Sequence, residues 1–146
     1  NYKYEKFRDS LKVDTISGGA IFLLRKSFST HNGFNEDLFW MEDIDLCIRL
    51  RKMGNSIYYY PLTKIIHYQG KSAKTNYKIS ISNQLLSKIK FFRIHHSNLS
   101  AFAISFSVLF VSLIKSFLML FISPFSISYR KKMIAYLFTI KSVLKN

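Results

Sequence analysis

The sequence predicts an α/β front piece, residues 1–76, followed by a helical, membrane-associating rear, residues 77–146. Three observations lead there. Short apolar runs rich in β-branched and aromatic residues flank a helical pattern in the front piece. The stretch Ala101 to Ser123 carries a single charge, Lys115. All eight Asp and Glu residues lie at or before Asp45.

A chain of 146 residues suffices for one domain with a modest core. Its formal net charge of +14 is unevenly spread. Residues 1–45 are slightly acidic, whereas residues 46–146 hold sixteen of the 22 Lys and Arg and no carboxylate. A rear without acids cannot form internal salt bridges, and its field attracts phosphates, nucleic acid or an anionic leaflet. The lone Cys47 excludes an internal disulfide and suits a reducing compartment. "NYKYEKFRDSLKVD" is charged and lacks the apolar run of a signal peptide. A start at Asn1 rather than Met leads us to expect a piece of something longer.

In the front piece, "VDTISGGAIFLLR" reads as a strand interrupted at Gly18-Gly19, where backbone without Cβ atoms can approach a ligand. "RKSFSTHNGF" predicts a short helix ending near Asn32-Gly33, and "NEDLFWM" a loop. From Asp43, Ile44, Cys47, Ile48 and Met53 recur at helical spacing, with Leu46 and Leu50 widening the face, up to a stop at Gly54. "SIYYYP" and "TKIIHY" predict two further short strands.

From about Tyr77 the character changes. "ISISNQLLSKIKFFRIHHSN" is a basic helical stretch, and Ala101–Ser123 is long enough to span a bilayer core, which needs ~20 residues. Against a simple span, a central lysine such as Lys115 costs about 2.5–3.5 kcal/mol. On a helical projection Ser105, Ser112, Ser116 and Ser123 form one narrow stripe with Lys115 near its edge. That pattern suits a membrane-embedded hairpin, an interfacial helix or a helix packed on its own domain. After Pro124, Tyr129, Met133, Tyr136, Leu137, Ile140, Val143 and Leu144 form an apolar face. Arg130, Lys131, Lys132, Lys141 and Lys145 lie on or beside the other face, which predicts a basic amphipathic helix on an anionic membrane surface. The competing reading is a soluble helical bundle.

Glu42, Asp43 and Asp45 open the predicted helix, where carboxylates cap and complement the dipole of any helix. Two neighbours favour more than capping. Phe39 and Trp40 stand just upstream, where an aromatic wall can hold a sugar ring. Downstream, "IIHYQGKS" sets His67 at a strand end before Gly70, Lys71 and Ser72, a turn with the groups of a phosphate contact.

Taken in order, "SGGAIFLLRKSF", "GFNEDLFWMEDIDLCIRLRKMG", "IYYYPLTKIIHYQGKS" and "KFFRIHHS" before an apolar helix resemble the C-terminal half of a family 2 glycosyltransferase, closest to the bacterial rhamnosyltransferase-like branch. The similarity covers about residues 11–125. It implies the glycosyltransferase-A, Rossmann-like α/β fold. It also implies Asp43 as general base and Glu42 as a holder of a substrate hydroxyl, while Trp40, Gly18, Gly19, Lys71 and Ser72 are the substrate-contact candidates by their own chemistry. An inverting transfer does need a carboxylate to take the acceptor's proton. His67 matches a family histidine that ligates a divalent metal, Mg²⁺ or Mn²⁺, or contacts the donor diphosphate; a histidine satisfied at a strand end is the plain alternative.

The family's metal-binding Asp-x-Asp follows a strand. Asp43-Ile44-Asp45 matches it in letters only, because residues two apart on a helix do not face each other. The nucleotide-binding half, with the main metal carboxylates, is therefore expected outside this chain. The expected partners are a nucleotide-sugar donor, a lipid-linked or polysaccharide acceptor and an anionic membrane surface at the cytoplasmic face. A non-catalytic basic membrane-binding module, or an inactive remnant, is the alternative. Nucleic acid is not an expected partner: no recognition motif is present, and the apolar stretch argues against it.

Overall fold

The computed structural model describes residues 9–30, 32–66 and 76–145. The chain divides into two compact units, Asn1–Glu36 with Glu42–Tyr68, and Asp37–Met41 with Gln69–Asn146.

In the first unit the elements are β1 (Leu11–Val13), α1 (Arg25–Thr30), α2 (Glu42–Lys52) and β2 (Ile57–Tyr59). The strands pair antiparallel, with Leu11 opposite Tyr59 and Val13 opposite Ile57. Helix α2 forms where the apolar spacing predicts it. Its acids sit in the first turn and Arg49, Arg51 and Lys52 in the last, as the helix dipole favours. It ends at Gly54, whose φ of +83° a side chain would strain. The Gly54 N–H donates to the Arg51 carbonyl and the Asn55 N–H to that of Leu50, satisfying the last turn. Leu46, Cys47 and Leu50 bury one face of α2 against Ile57, with Val13, Ile16 and Phe28 packed around them. Full burial of a Leu or Ile side chain such as Leu46, Leu50 or Ile57 contributes about 1.5–3 kcal/mol.

The expected strand over "VDTISGGAIFLLR" is reduced to Leu11–Val13, and residues 14–24 are irregular. Residues 63–66 of "TKIIHY" form no strand either, and His67 and Tyr68 lie outside the described residues. Apolar composition makes a strand only where a neighbouring strand accepts its N–H and C=O groups, and β1–β2 is the one pairing among the described residues. Phe22 is 93% exposed and Leu24 78%, so this run does not enter the core of its unit. The described residues are thus mostly helical, and the α/β element is a two-stranded ribbon rather than a Rossmann-like sheet.

In the second unit three helices follow one another: α3 (Tyr77–His95), α4 (Asn98–Ile122) and, after a 3₁₀ turn at Ser123–Phe125, α5 (Ile127–Lys145). The Asn76 and Ser97 side chains cap α3 and α4 by accepting from the N–H groups of Ile79 and Ser100. Pro124 sits in the first turn of the 3₁₀ segment, where its missing N–H costs nothing. Small side chains fill much of the packing between these helices. Buried positions are Ser82, Ser87, Ile89 and Phe91 on α3, Ala101, Val108, Ser112 and Ser116 on α4, and Ala135, Tyr136 and Thr139 on α5. The Ser82 hydroxyl donates to the Ala135 carbonyl at 3.1 Å, tying α3 to α5.

The serine stripe of α4 therefore faces its own unit, while most of the helix surface remains exposed. Helix α5 uses its apolar face differently from the prediction. Tyr136 is buried and Met133, Ile140 and Val143 are half-buried, whereas Tyr129, Leu137 and Leu144 are exposed. Cations here pair with rings. The Lys78 ammonium lies 4.6 Å from the Phe138 ring centroid, Lys115 lies 5.3 Å from that of Tyr136, and Lys132 lies 5.0 Å from that of Tyr77 and 5.1 Å from that of Tyr129.

Candidate active site

The start of α2 concentrates the carboxylates, and its geometry gives each a different environment. Asp43 is half-buried. Its Oδ2 accepts the Gly18 backbone N–H at 2.7 Å, and its Oδ1 accepts the N–H of Ile44 at 2.7 Å. Gly18 thus approaches a carboxylate: a Cβ placed on it would lie 3.4 Å from the Asp43 Oδ2. Gly19 is exposed beside it in the chain.

Asp45 is fully buried. It accepts from the Arg49 Nε at 2.8 Å and pairs with the same guanidinium's Nη2 at 2.7 Å. That Nη2 also donates to the Gly33 carbonyl at 2.7 Å. Asp43 and Asp45 therefore engage different groups, Gly18 and Arg49, as their two-residue spacing on a helix requires. They do not form a paired metal site. Among the described residues no cluster of three His, Cys, Asp or Glu side chains is placed to hold a metal ion. His67, Lys71 and Ser72 lie outside the described residues.

Glu42 is half-buried, yet its Oε2 is buried and finds no hydrogen-bond partner among the described residues. A buried carboxylate oxygen without a donor is costly, so such an atom in a native fold calls for an explanation.

Trp40 belongs to the second unit. Leu38 is buried there, the Phe39 N–H donates to the Ser87 hydroxyl at 2.8 Å, and the Asp37 carbonyl accepts from Lys90. Phe39 and Trp40 are 42% and 47% exposed and meet edge to face, with centroids 6.0 Å apart. Trp40 adopts a φ of +78°, which a bulky residue takes only under local constraint. Ser87, which accepts from Phe39, and Arg49, which pairs with Asp45, are contacts of this region that the sequence reading missed. Arg49 was readable as the i+4 partner of Asp45. Ser87 lies 48 residues from Phe39 and carried no local signal.

A shallow depression on the first unit is lined by Lys12, Asp14, Arg51, Asn55 and neighbours, with the Arg51 guanidinium 2.7 Å from the Asp14 carboxylate. It includes none of the candidate residues.

Comparison with known proteins bears on the same region. A family described as the N-terminal domain of galactosyltransferase matches residues 2–71. The N-acetylglucosaminyl-diphospho-decaprenol L-rhamnosyltransferase of Mycobacterium tuberculosis is 34% identical over 73 residues, 49% of this chain and 24% of the relative. Rhamnosyltransferase WbbL of Escherichia coli is 39% identical over 66 residues, 42% of this chain and 25% of the relative. The match thus spans about a quarter of the length of these relatives. No solved structure matches the chain. The front of this chain, residues 2–71, is thus similar in sequence to glycosyltransferases, these two rhamnosyltransferases among them.

Proposed function

We propose that this chain supplies the acceptor side and the general base of an inverting glycosyltransferase, with Asp43 as the base and Glu42 as the holder of a substrate hydroxyl. The observation that carries this reading is the pairing of two adjacent carboxylates of unlike state. Asp43 accepts from the Gly18 N–H, and Glu42 has a buried oxygen with no donor among the described residues. In the reaction, Asp43 takes the proton of the acceptor hydroxyl as that oxygen bonds to the anomeric carbon. The bond from that carbon to the donor diphosphate breaks, and the diphosphate leaves with the electron pair. The exposed rings of Phe39 and Trp40 offer apolar faces for a sugar, and Lys71 and Ser72 offer groups for phosphate.

Among the described residues no three His, Cys, Asp or Glu side chains gather to hold a metal ion. In this reading a divalent ion is held chiefly by carboxylates of a nucleotide-binding half, with His67 as a further ligand. Rhamnose is the favoured sugar because both relatives are named rhamnosyltransferases. A lipid-linked acceptor is favoured because one relative's name carries a diphospho-decaprenol. The second unit would hold the protein at an anionic, cytoplasmic membrane face. Helix α4 supports this, being long and apolar enough to cross a membrane by length and composition, as do the cations without carboxylates after Asp45.

The alternative, a basic membrane-binding module without catalysis, has no use for Asp43. The test is radiolabelled sugar transfer by a protein that joins this chain to a nucleotide-sugar-binding half. Asp43→Asn should remove at least 99% of kcat and leave donor affinity unchanged. Full activity in that variant would overturn the reading.

A further inference from the structure

Helix α4 has two separate stripes. At about 100° per residue, Ala101, Val108, Ser112, Ser116 and Ser123 fall within about 80° of one another, and these are its buried positions and that of the following turn. All five of its phenylalanines, Phe102, Phe106, Phe110, Phe117 and Phe121, fall within about 100° of one another on a different arc. Every one is more than half exposed, from 55% at Phe110 to 70% at Phe102. Small and hydroxylated residues face protein while aromatic rings face outward, the reverse of a water-soluble helix.

We infer that α4 lies in the plane of an anionic leaflet, with this phenylalanine arc in the acyl-chain region, and does not cross the bilayer. The inference rests on the membrane reading above and adds an orientation to it. Three observations carry it. First, the buried line runs from Ala101 to Ser123, so α3 and α5 accompany α4 and would be drawn with it into any perpendicular span. Second, those companions carry cations at both ends: Lys78 and Arg93 on α3, and Arg130 and Lys145 on α5. The interval from Arg130 to Lys145 is about 22 Å of helix, shorter than a hydrocarbon core of about 30 Å. No carboxylate after Asp45 is available to neutralise cations held at that depth. Third, Lys115 projects near the edge of the buried line, away from the phenylalanine arc, and its ammonium lies over the Tyr136 ring. A span would carry it into the membrane, whereas an in-plane helix keeps it on the protein side. An anionic leaflet is the one occupant that offers both apolar depth for the rings and negative charge for the surrounding lysines and arginines.

The test uses the full chain with Cys47→Ala, which frees labelling from the native thiol, reconstituted into sealed vesicles of phosphatidylcholine with phosphatidylglycerol. Circular dichroism verifies that each variant keeps its helices. Leu99→Cys and Phe125→Cys, at exposed positions flanking the apolar run, are combined and treated with a membrane-impermeant maleimide. An in-plane helix puts both thiols of a molecule on one side, so molecules carry two labels or none. One label per molecule would mean a span and overturn the inference while leaving membrane binding intact. Spin labels at Phe102→Cys, Phe110→Cys and Phe121→Cys should report equal, shallow depths by oxygen against nickel-chelate accessibility. A marked maximum at 110 would overturn it too, as would immobile labels shielded from both reagents, which signify a covering protein surface. Failure of the unlabelled protein to float with the vesicles would instead sink the membrane reading itself.

Discussion

The backbone N–H of Gly18 holds the Asp43 carboxylate at 2.7 Å across 25 residues of sequence. The contact fixes the direction of one oxygen of the proposed base, and Ile44 fixes the other. A base that must meet an acceptor hydroxyl in one geometry gains from such fixing, because a small misplacement at the reacting atoms costs large factors in rate.

If Gly18 positions the base, the donor matters rather than the missing side chain. Gly18→Ala keeps the N–H, and its Cβ would meet Asp43 Oδ2 at 3.4 Å, so kcat in the intact transferase should fall less than about threefold. Gly18→Pro removes the N–H. A hydrogen bond to a charged group contributes about 1.5–3 kcal/mol, so kcat should fall at least about tenfold with KM little changed. Steady-state kinetics with a thermal melt for each variant checks this. Equal loss in both variants would mean that crowding, not the hydrogen bond, is at work.

Asp43 and Asp45 should separate chemistry from stability. Asp43→Asn should leave the fold intact and remove transfer. Asp45→Asn should keep kcat per folded molecule but weaken the first unit, since the Arg49 guanidinium then loses its buried counter-ion. Arg49→Met is harsher, because it takes the paired cation away from a fully buried carboxylate. Losing one partner of a buried pair costs about 3–5 kcal/mol, and the partial exposure of Arg49 puts this case near the lower figure. Urea denaturation and kinetics on the same preparations decide the matter. A stable, inactive Asp45→Asn would exchange the roles of the two aspartates.

The helices were the legible part of this chain, and particular residues show why. Helix α2 announced itself by apolar periodicity and its Gly54 stop, and α4 by sheer hydropathy, though its serine line left open what that side would face. The strand expected around Ile21–Leu24 had only composition behind it, and a short apolar run does not reveal whether any partner strand exists. Asp43 was singled out by its neighbours in sequence and by the family resemblance. Its Gly18 contact was not, because a hydrogen bond between distant segments leaves no periodic trace. The segment Asp37–Met41 shows the same limit: it reads as the loop leading into α2, yet Leu38 and Phe39 pack in the other unit, through contacts with residues some fifty positions on.

The 146 residues alone should not turn over a nucleotide-sugar. The match to rhamnosyltransferases spans about a quarter of their length, and the described residues gather no metal-binding carboxylates for a donor diphosphate. Transfer or hydrolysis of any nucleotide-sugar by the purified chain, above a protein-free control, would show that it carries its own donor site.

Membrane binding should separate into a salt-sensitive part and a salt-resistant part. Arg130 and Lys131 are exposed, and each cation near an anionic surface contributes about 1 kcal/mol. Arg130→Gln with Lys131→Gln should therefore weaken binding to acidic vesicles about thirtyfold at low ionic strength. The loss should shrink in 1 M salt, where the Debye length is about 3 Å. Lys132 is a poorer probe, because it lies half-buried over the rings of Tyr77 and Tyr129, and Lys132→Gln would also loosen the contact between α3 and α5. The apolar part belongs to the exposed rings. Phe106→Gln with Phe117→Gln, at 63% and 60% exposed positions, should spare the fold and weaken binding at every salt concentration. Co-sedimentation with acidic and neutral vesicles across a salt series distinguishes the two effects. Unchanged binding in the double phenylalanine variant would show that α4 does not touch lipid, and the charge effect alone would then describe a protein resting on headgroups.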